Sequence, residues 1–194
     1  MIDFSDMAAL IFDCDGTLLD TPPIYARAWF KGFQDTGRQM PREWFMDRAG
    51  MSDHVLMDAF ESDFKVKIPD RVKAIEAMRQ EFFNNISDLK EIETIAQIAR
   101  ANKGKRQLAV ASGGARLIVE TCLKATDLFD LFDEIVTIDD VARPKPAPDL
   151  FLKAAQRLNT APDLCFVFED TQSGLEAAHA AGMRCIDVAR IIYP

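Results

Sequence analysis

Short apolar runs alternate with segments of helical periodicity from about residue 89 to the end of the chain. A short, continuous apolar run is typical of a strand that is buried on both faces. Strands that alternate with helices predict a parallel sheet with right-handed crossovers. One further apolar run comes earlier, so the sequence predicts an α/β fold with about five parallel strands flanked by helices. The predicted strands are Ala8–Phe12, Gln107–Ala111, Glu134–Ile138, Leu164–Phe168 and Cys185–Val188.

The stretch between the first two predicted strands breaks this alternation. It has helical patterning and no convincing strand. We therefore expect residues 20–87 to form a small helical domain, inserted into an α/β core made of residues 1–19 and 88–194. The predicted helices are one that begins at Pro22, then Ser52–Ser62, Arg71–Asn84, Glu91–Lys103, Ala115–Ala125, Asp149–Leu158 and Ser173–Ala181.

Two aspartates, Asp13 and Asp15, follow the first predicted strand directly. Open α/β sheets bind their ligands at the carboxyl ends of the strands, so we expect both carboxylates at that edge. Two anions this close repel each other, and a cation between them removes the repulsion. Oxygen ligands favour Mg²⁺, which also lets a carboxylate approach a phosphate group. An Asp-Gly turn is common without any chemistry, but the whole string Asp13–Asp20 after a buried strand favours a phosphate site.

Two further segments are candidates for phosphate binding. Ser112 and Gly113 lie between a predicted strand and a predicted helix, where a hydroxyl and free N–H groups can cradle a phosphate. Taken alone, they are better explained by a plain strand-to-helix turn. Prolines on both sides of Lys145 restrict its backbone and favour an ammonium group that is held in one place. The alternative is a stiff surface loop with a solvated lysine.

Glu169 and Asp170 repeat the pattern of Asp13 and Asp15, because they too follow a buried apolar run. Adjacent acids after a strand are often a solvated loop or a helix N-cap. Here they fall at the same edge of the predicted sheet as the first pair. The four acids together predict a Mg²⁺ site in which water and phosphate complete the octahedron.

The composition excludes several classes of protein. The 194 residues suffice for one core with a small second lobe, and the 48% apolar content is typical of globular domains. The net charge of −8, without a basic stripe, argues against a nucleic-acid partner. No run approaches the roughly 18 apolar residues of a membrane span, and the start lacks a basic signal region. We therefore expect a cytoplasmic protein with no membrane partner.

The four cysteines are far apart and lack the spacing of metal ligands, so we expect reduced and mostly buried thiols. Cys14 is not expected to be a nucleophile, since its acidic neighbours raise the pKa of its thiol. The cysteines are Cys14, Cys122, Cys165 and Cys185.

Six residues carry the predicted chemistry, in the order Asp13, Asp15, Ser112, Lys145, Glu169 and Asp170. In this order they resemble the haloacid dehalogenase superfamily of phosphohydrolases, over nearly the whole chain. The strings DGTLLDTPP, KPAPDLFLKAAQRL and FEDTQSGLEAAHAAGM are similar to its β-phosphoglucomutase-like subgroup. That subgroup includes bacterial phosphatases of fructose 1-phosphate and 6-phosphogluconate. The resemblance implies a Rossmann-like core with a helical cap.

The resemblance also implies a role for each motif residue. Asp13 attacks phosphorus and becomes an aspartyl phosphate. Asp15 protonates the leaving alcohol and then helps to activate water. Ser112, Gly113 and Lys145 bind the phosphoryl group that is transferred.

The same resemblance implies that Mg²⁺ is the cofactor. Its ligands would be Asp13, the backbone carbonyl of Asp15, Asp170, and Glu169 either directly or through water. We therefore predict a Mg²⁺-dependent phosphatase that acts on a small sugar phosphate or a related phosphomonoester. Its partner is a small phosphorylated molecule, and a monomer is the default, with a dimer left open.

Two alternatives remain. A sugar phosphomutase of this subgroup carries a His and an Arg in its cap where this chain has Tyr25 and Asp53, which favours transfer to water. A phospho-acceptor signalling domain lacks a helical insertion of this size. Substrate choice is expected to depend on cap residues, for which the candidates are Arg48, Ser52, Asp53 and His54.

Overall fold

The chain folds into two units, of which one contains the sheet. The structure is a computed structural model and describes residues 4–192. Within these, residues 4–20 and 90–192 form the first unit and Thr21–Leu89 form the second. Residues 1–3, on which the predicted location partly depends, lie outside the described residues.

The strands of the first unit form one five-stranded sheet of order β3-β2-β1-β4-β5, and every neighbouring pair is parallel. The predicted α/β class with about five parallel strands is confirmed. β1 is the central strand, so its carboxyl end lies between those of β2 and β4. The strands are β1 (Ala9–Phe12), β2 (Gln107–Ala111), β3 (Glu134–Val136), β4 (Cys165–Glu169) and β5 (Arg184–Asp187).

Nine α-helices lie among the described residues. Four of them, α1 to α4, belong to the second unit, and the others alternate with the strands of the first unit. In chain order the helices are α1 (Pro22–Gly32), α2 (Arg42–Met46), α3 (Asp53–Phe64), α4 (Arg71–Asn84), α5 (Glu93–Asn102), α6 (Arg116–Ala125), α7 (Asp149–Arg157), α8 (Gln172–Ala180) and α9 (Ala189–Ile192).

Both faces of the central strand are buried, as its continuous apolar run predicts. Successive side chains of a strand point to opposite faces. Ala9 and Ile11 belong to a core cluster that also contains side chains of α7 and α8. Phe12 pairs in register with Phe168 of β4, and their rings stack with centroids 4.6 Å apart. This packing fixes the end of β1 beside the end of β4.

Two strand ends differ from the prediction in ways that matter for the site. β4 begins and ends one residue later than predicted, so Glu169 is its last residue. β3 ends at Val136, before the predicted Ile138. The chain turns there because Thr137 and Asp140 form a capping box around a 3₁₀ turn.

The second unit is helical throughout its regular structure. α1 and α4 pack against each other, and Tyr25 of α1 lies 4.5 Å from Phe82 of α4, ring centroid to centroid. The ring of Phe33 stacks on that of Phe60 at 4.0 Å, and Trp44 meets Phe60 edge-on at 5.6 Å. These rings give the unit its own apolar core. In neither unit do the described residues include a helix long and apolar enough to cross a membrane.

Candidate active site

Asp13 lies one residue beyond the central strand, and its side chain is buried. Its N–H donates to the carbonyl of Phe168 at 2.9 Å, which continues the pairing of β1 with β4 past the strand end. Only 6% of the residue is exposed. Burial raises the pKa of Asp13 well above its usual range, and the charge of Glu169 raises it further.

Lys145 lies against the carboxylates of two strands. Its Nζ donates to Asp13 Oδ1 and to Glu169 Oε2, both at 2.6 Å. It also lies 5.0 Å from the ring centroid of Phe151, in a cation–π contact. With 10% of its side chain exposed, it is not the solvated surface lysine of the alternative interpretation. Burial opposes the charged form, but the two carboxylates outweigh it and raise the pKa of Lys145.

Glu169 is fully buried, with both carboxylate oxygens engaged. Oε2 accepts the hydrogen bond from Lys145, while Oε1 accepts three: from the N–H of Asp170 at 3.1 Å, the N–H of Thr171 at 2.9 Å and the Thr171 hydroxyl at 2.7 Å. These contacts fix the direction in which Oε2 points.

Asp170 packs its carboxyl group against the turn that follows β1, although the residue as a whole is exposed. Oδ1 accepts the hydroxyl hydrogen of Thr17 at 3.1 Å. A Cβ at Gly16 would lie 2.3 Å from Asp170 Oδ2, and Gly16 has φ +82°. Only glycine satisfies both the backbone angle and the space. Burial of the carboxyl group and the charge of Glu169 raise the pKa of Asp170 to about 7.

Three of the four predicted acids come together as a possible metal site. One carboxylate oxygen from each of Asp13, Glu169 and Asp170 lies within 4.8 Å of the others. The positive charge of Lys145 can offset only one of these three negative charges. Burial raises the pKa of both aspartates, and repulsion by Glu169 raises it further. An all-oxygen set with excess negative charge fits a hard divalent cation.

The Asp15 carboxylate is not part of that acidic group. Its Oδ2 accepts the hydroxyl hydrogen of Ser112 at 3.4 Å, across from β2. The Ser112 hydroxyl also accepts the N–H of Gly114 at 3.0 Å, and Gly113 beside it is exposed, with open space where a Cβ would be. The first motif therefore sends its two carboxylates to different neighbours, Asp13 toward β4 and Asp15 toward β2.

The predicted specificity residues lie in the second unit. The Arg48 guanidinium is already engaged there: it donates to Asp63 and to the Trp44 carbonyl, both at 3.0 Å, and lies 4.4 Å from the Trp44 ring centroid. Ser52 and His54 are exposed and Asp53 is half-buried, at the start of α3. That these residues contact a substrate stays a prediction.

Cys14 is buried beside the two aspartates. Burial raises the pKa of its thiol, and the charges of Asp15 and Asp13 raise it further. A thiol held in its neutral form is a poor nucleophile, which agrees with the expectation from the sequence.

Two hydroxyls of the site, those of Thr17 and Thr171, were not singled out from the sequence. Each donates a hydrogen bond to one acid of the group, Thr17 to Asp170 and Thr171 to Glu169. A signal for Thr171 was present, since threonine after a strand and before a helix is a preferred N-cap. Its donation to Glu169 depends on the folded geometry.

Comparisons with known proteins agree on one family. The sequence model of the haloacid dehalogenase-like hydrolases matches residues 10–188. The fructose-1-phosphate phosphatase YqaB of Escherichia coli (strain K12) is 34% identical over 185 residues, covering 93% of this chain and 96% of that protein. The phosphorylated carbohydrates phosphatase of Thermotoga maritima is 32% identical over 185 residues, covering 93% and 84% respectively.

Solved structures share the fold. The crystal structure of a CbbY mutant from Rhodobacter sphaeroides, in complex with xylulose 1,5-bisphosphate, superimposes with a TM-score of 0.82 at 27% sequence identity. The match covers 92% of this chain and 84% of that chain. The similarity therefore extends over both units of the present chain.

Proposed function

We propose that this chain, which belongs to the haloacid dehalogenase-like hydrolase family, is a phosphatase of small sugar phosphates that works through a covalent intermediate on Asp13. The observation that carries the proposal is the position of Lys145 Nζ, 2.6 Å from both Asp13 and Glu169. A buried cation against a carboxylate at the end of the central strand suits an anionic substrate there. The substrate class is supported by the two phosphatases to which the chain is similar.

Asp13 acts as the nucleophile in this proposal. One of its carboxylate oxygens bonds to phosphorus as the bond from phosphorus to the sugar oxygen breaks, leaving an aspartyl phosphate. Covalent catalysis of this kind divides a difficult hydrolysis into two easier displacements. Lys145 holds the carboxylate in place through Oδ1 and neutralises negative charge on the phosphoryl oxygens as it develops.

Asp15 acts as the general acid and then as the general base. Its carboxyl group protonates the departing sugar oxygen and later takes a proton from the water that attacks the aspartyl phosphate. Its carboxylate stands apart from the acidic group, beside Ser112, which suits a residue that transfers protons and does not hold the metal. The Ser112 hydroxyl and the N–H of Gly113 are proposed to bind the phosphoryl oxygens.

Mg²⁺ is the proposed cofactor. Asp13, Glu169 and Asp170 would hold it, together with the backbone carbonyl of Asp15. When bound, it offsets the charge that keeps a carboxylate and a phosphate apart. The raised pKa values of Asp13 and Asp170 support this assignment, because they report repulsion and burial that a cation would relieve.

A phosphate-release assay with Mg²⁺ tests the proposal, using fructose 1-phosphate, 6-phosphogluconate and other sugar phosphates. The wild-type protein should release phosphate from at least one of them, and Asp13→Asn should release none. Asp130→Asn, at an exposed aspartate of the same unit, is the matched control and should keep full activity. Full activity in Asp13→Asn would contradict the proposed mechanism.

The covalent step has its own measurement. With p-nitrophenyl phosphate as donor, the leaving group departs without a proton from Asp15, so Asp15→Asn should still form the aspartyl phosphate. The second displacement then lacks its base, and the phosphoryl group should remain on the protein as a mass increase that Asp13→Asn lacks. Isomer formation after addition of a bisphosphorylated sugar would indicate a mutase instead. Tyr25 and Asp53 argue against that activity, because they stand where the mutases of the subgroup carry a His and an Arg.

A further inference from the structure

Glu169 has an asymmetric set of hydrogen bonds. All three donors to Oε1 come from the two residues directly before α8: the backbone N–H groups of Asp170 and Thr171, and the Thr171 hydroxyl. Among the described residues, Lys145 is the only hydrogen-bond donor to Oε2. The carboxylate is thus anchored through one oxygen and presents the other to the site.

The shortest of the three bonds to Oε1 is that of the Thr171 hydroxyl, at 2.7 Å. The same hydroxyl oxygen accepts the N–H of Gly174 at 3.1 Å, which makes Thr171 the N-cap of α8. One side chain therefore caps the helix and holds the carboxylate at the helix's positive end, where an anion is favoured.

The helix leaves a notch that fits this carboxylate. A Cβ at position 174 would lie 2.0 Å from Glu169 Cδ and 2.1 Å from Oε2. Gly174 therefore leaves room for Glu169, while Thr171 sets its rotation.

We propose that Thr171 is a positioning residue: its hydroxyl turns Glu169 so that Oε2 faces Lys145 and the acidic group, and so keeps Lys145 between its two carboxylates. This inference rests on the proposed function. Thr171 acts through Glu169 and contacts neither substrate nor the reacting atoms. A merely structural role, the capping of α8, is the competing explanation.

Two substitutions at this position separate the explanations. Thr171→Ser keeps the hydroxyl, and its kcat should stay within about twofold of wild type. Thr171→Val keeps the shape but removes the hydroxyl, and kcat should fall about tenfold or more, the effect of losing one hydrogen bond to a charged group. KM for the substrate should change less, because Lys145 stabilises the transition state more than bound substrate.

Asp70→Ala is the matched control for lost capping. Asp70 is the N-cap of α4 in the other unit and accepts the N–H of Lys73 at 3.0 Å. This variant should lose a similar amount of stability and keep wild-type kcat. A fall in kcat that occurs only in Thr171→Val supports positioning, whereas an equal fall in both variants would overturn it.

A double-mutant cycle with Glu169→Gln shows whether Thr171 acts through Glu169. Thr171→Val should lower kcat much less in the Glu169→Gln background than in wild type. An equal factor in both backgrounds would contradict the inference.

Calorimetric titration with Mg²⁺ alone supplies a measurement that needs no substrate. Thr171→Val should bind Mg²⁺ several-fold more weakly than wild type and Asp70→Ala equally well. Unchanged affinity in Thr171→Val, together with unchanged kcat, would overturn the inference. If wild type releases no phosphate, the proposed function fails, and the titration still decides the role of Thr171.

Discussion

Charge and the space left by neighbouring residues together determine how the side chains of the candidate site are arranged. Three carboxylates share one neighbourhood with one ammonium, that of Lys145. Burying unpaired charge costs several kcal/mol, and groups of this kind cluster at functional sites. Glycines at two contact points, Gly16 and Gly174, leave space that the carboxylates of Asp170 and Glu169 occupy.

Gly16→Ala should therefore damage the site and not only the backbone. The left-handed φ should cost about 1 kcal/mol of stability. The new Cβ, 2.3 Å from Asp170 Oδ2, should also displace that carboxylate. A misplacement of about 1 Å lowers activity by about a hundredfold. Phosphate-release kinetics and thermal unfolding measure the two effects.

Gly104→Ala is the control for this substitution. Gly104 has a similar φ of +74° in the same unit, but nothing lies within 4 Å of the place a Cβ would take. It should lose comparable stability and keep its activity. Equal activity in the two variants would contradict the claim that the contact between position 16 and Asp170 matters for activity.

At the scale of helices and strands, the sequence predicted the type of each element better than the residues at which it begins and ends. The helix Arg71–Asn84 has the predicted limits, and every predicted core strand is present within two residues at each end. α2, with five residues, was not foreseen, since one turn offers too few positions to show a period. The end of β3 was set by the Thr137–Asp140 capping box, which competes with strand pairing.

One carboxylate at the end of α3 links a helix to the turn that follows it. Glu61 Oε1 accepts the N–H of Ile68 at 2.8 Å, and Oε2 accepts from Lys67 at 3.1 Å and Arg71 at 2.9 Å. The hydrogen bond from Ile68, with help from the two cations, lowers the pKa of Glu61 to about 2. The ionised form is therefore favoured by folding.

Because the pKa of Glu61 is lowered in the folded state, its contribution to the free energy of unfolding depends on pH. The contribution of Glu61 to stability is complete above its unfolded pKa, about 4.3, and is lost as the pH falls toward about 2. Glu61→Gln should be less stable than wild type at pH 7, and the difference should shrink between pH 5 and pH 2. Urea unfolding at several pH values measures it.

Glu76→Gln, at an exposed position of α4, serves as the control for Glu61→Gln. Its stability should stay parallel to that of wild type over the same pH range. A difference between wild type and Glu61→Gln that did not depend on pH would contradict the assignment to the ionised carboxylate.

At the scale of the whole molecule, all six motif residues of the candidate site lie within the unit that contains the sheet. Its acids come from segments far apart in the chain, so the candidate metal site forms only when this unit is folded. A ligand that binds the folded state alone raises stability by mass action. The proposed cofactor therefore makes a thermodynamic prediction for the intact protein.

Mg²⁺ should raise the melting temperature of the wild-type protein. At about 100 times its dissociation constant the stabilisation is about 2.7 kcal/mol, a rise of roughly 5–10 °C for a chain of this size. Asp170→Asn should abolish most of the rise, and a chelator should reverse it. Calorimetric scans with NaCl at the same ionic strength give the control, and an equal rise in Asp170→Asn would refute the assigned site.

The chain's own pattern determined the fold class and the candidate residues. Alternating apolar runs and helices are local features, and acids that follow buried strands must fall at one edge of a parallel sheet. For this reason the sequence predicts that Asp13, Glu169 and Asp170 lie together, although it also groups the Asp15 carboxylate with them, which the structure does not.

Tertiary structure decided what those residues do to one another. Lys145 is 132 residues from Asp13 and 24 from Glu169, yet its ammonium bridges them, and the Asp15 carboxylate turns away to Ser112. These contacts follow from the strand order, which places β1 between β2 and β4. Strand order is settled by packing across the whole sheet, so no local stretch of sequence encodes it.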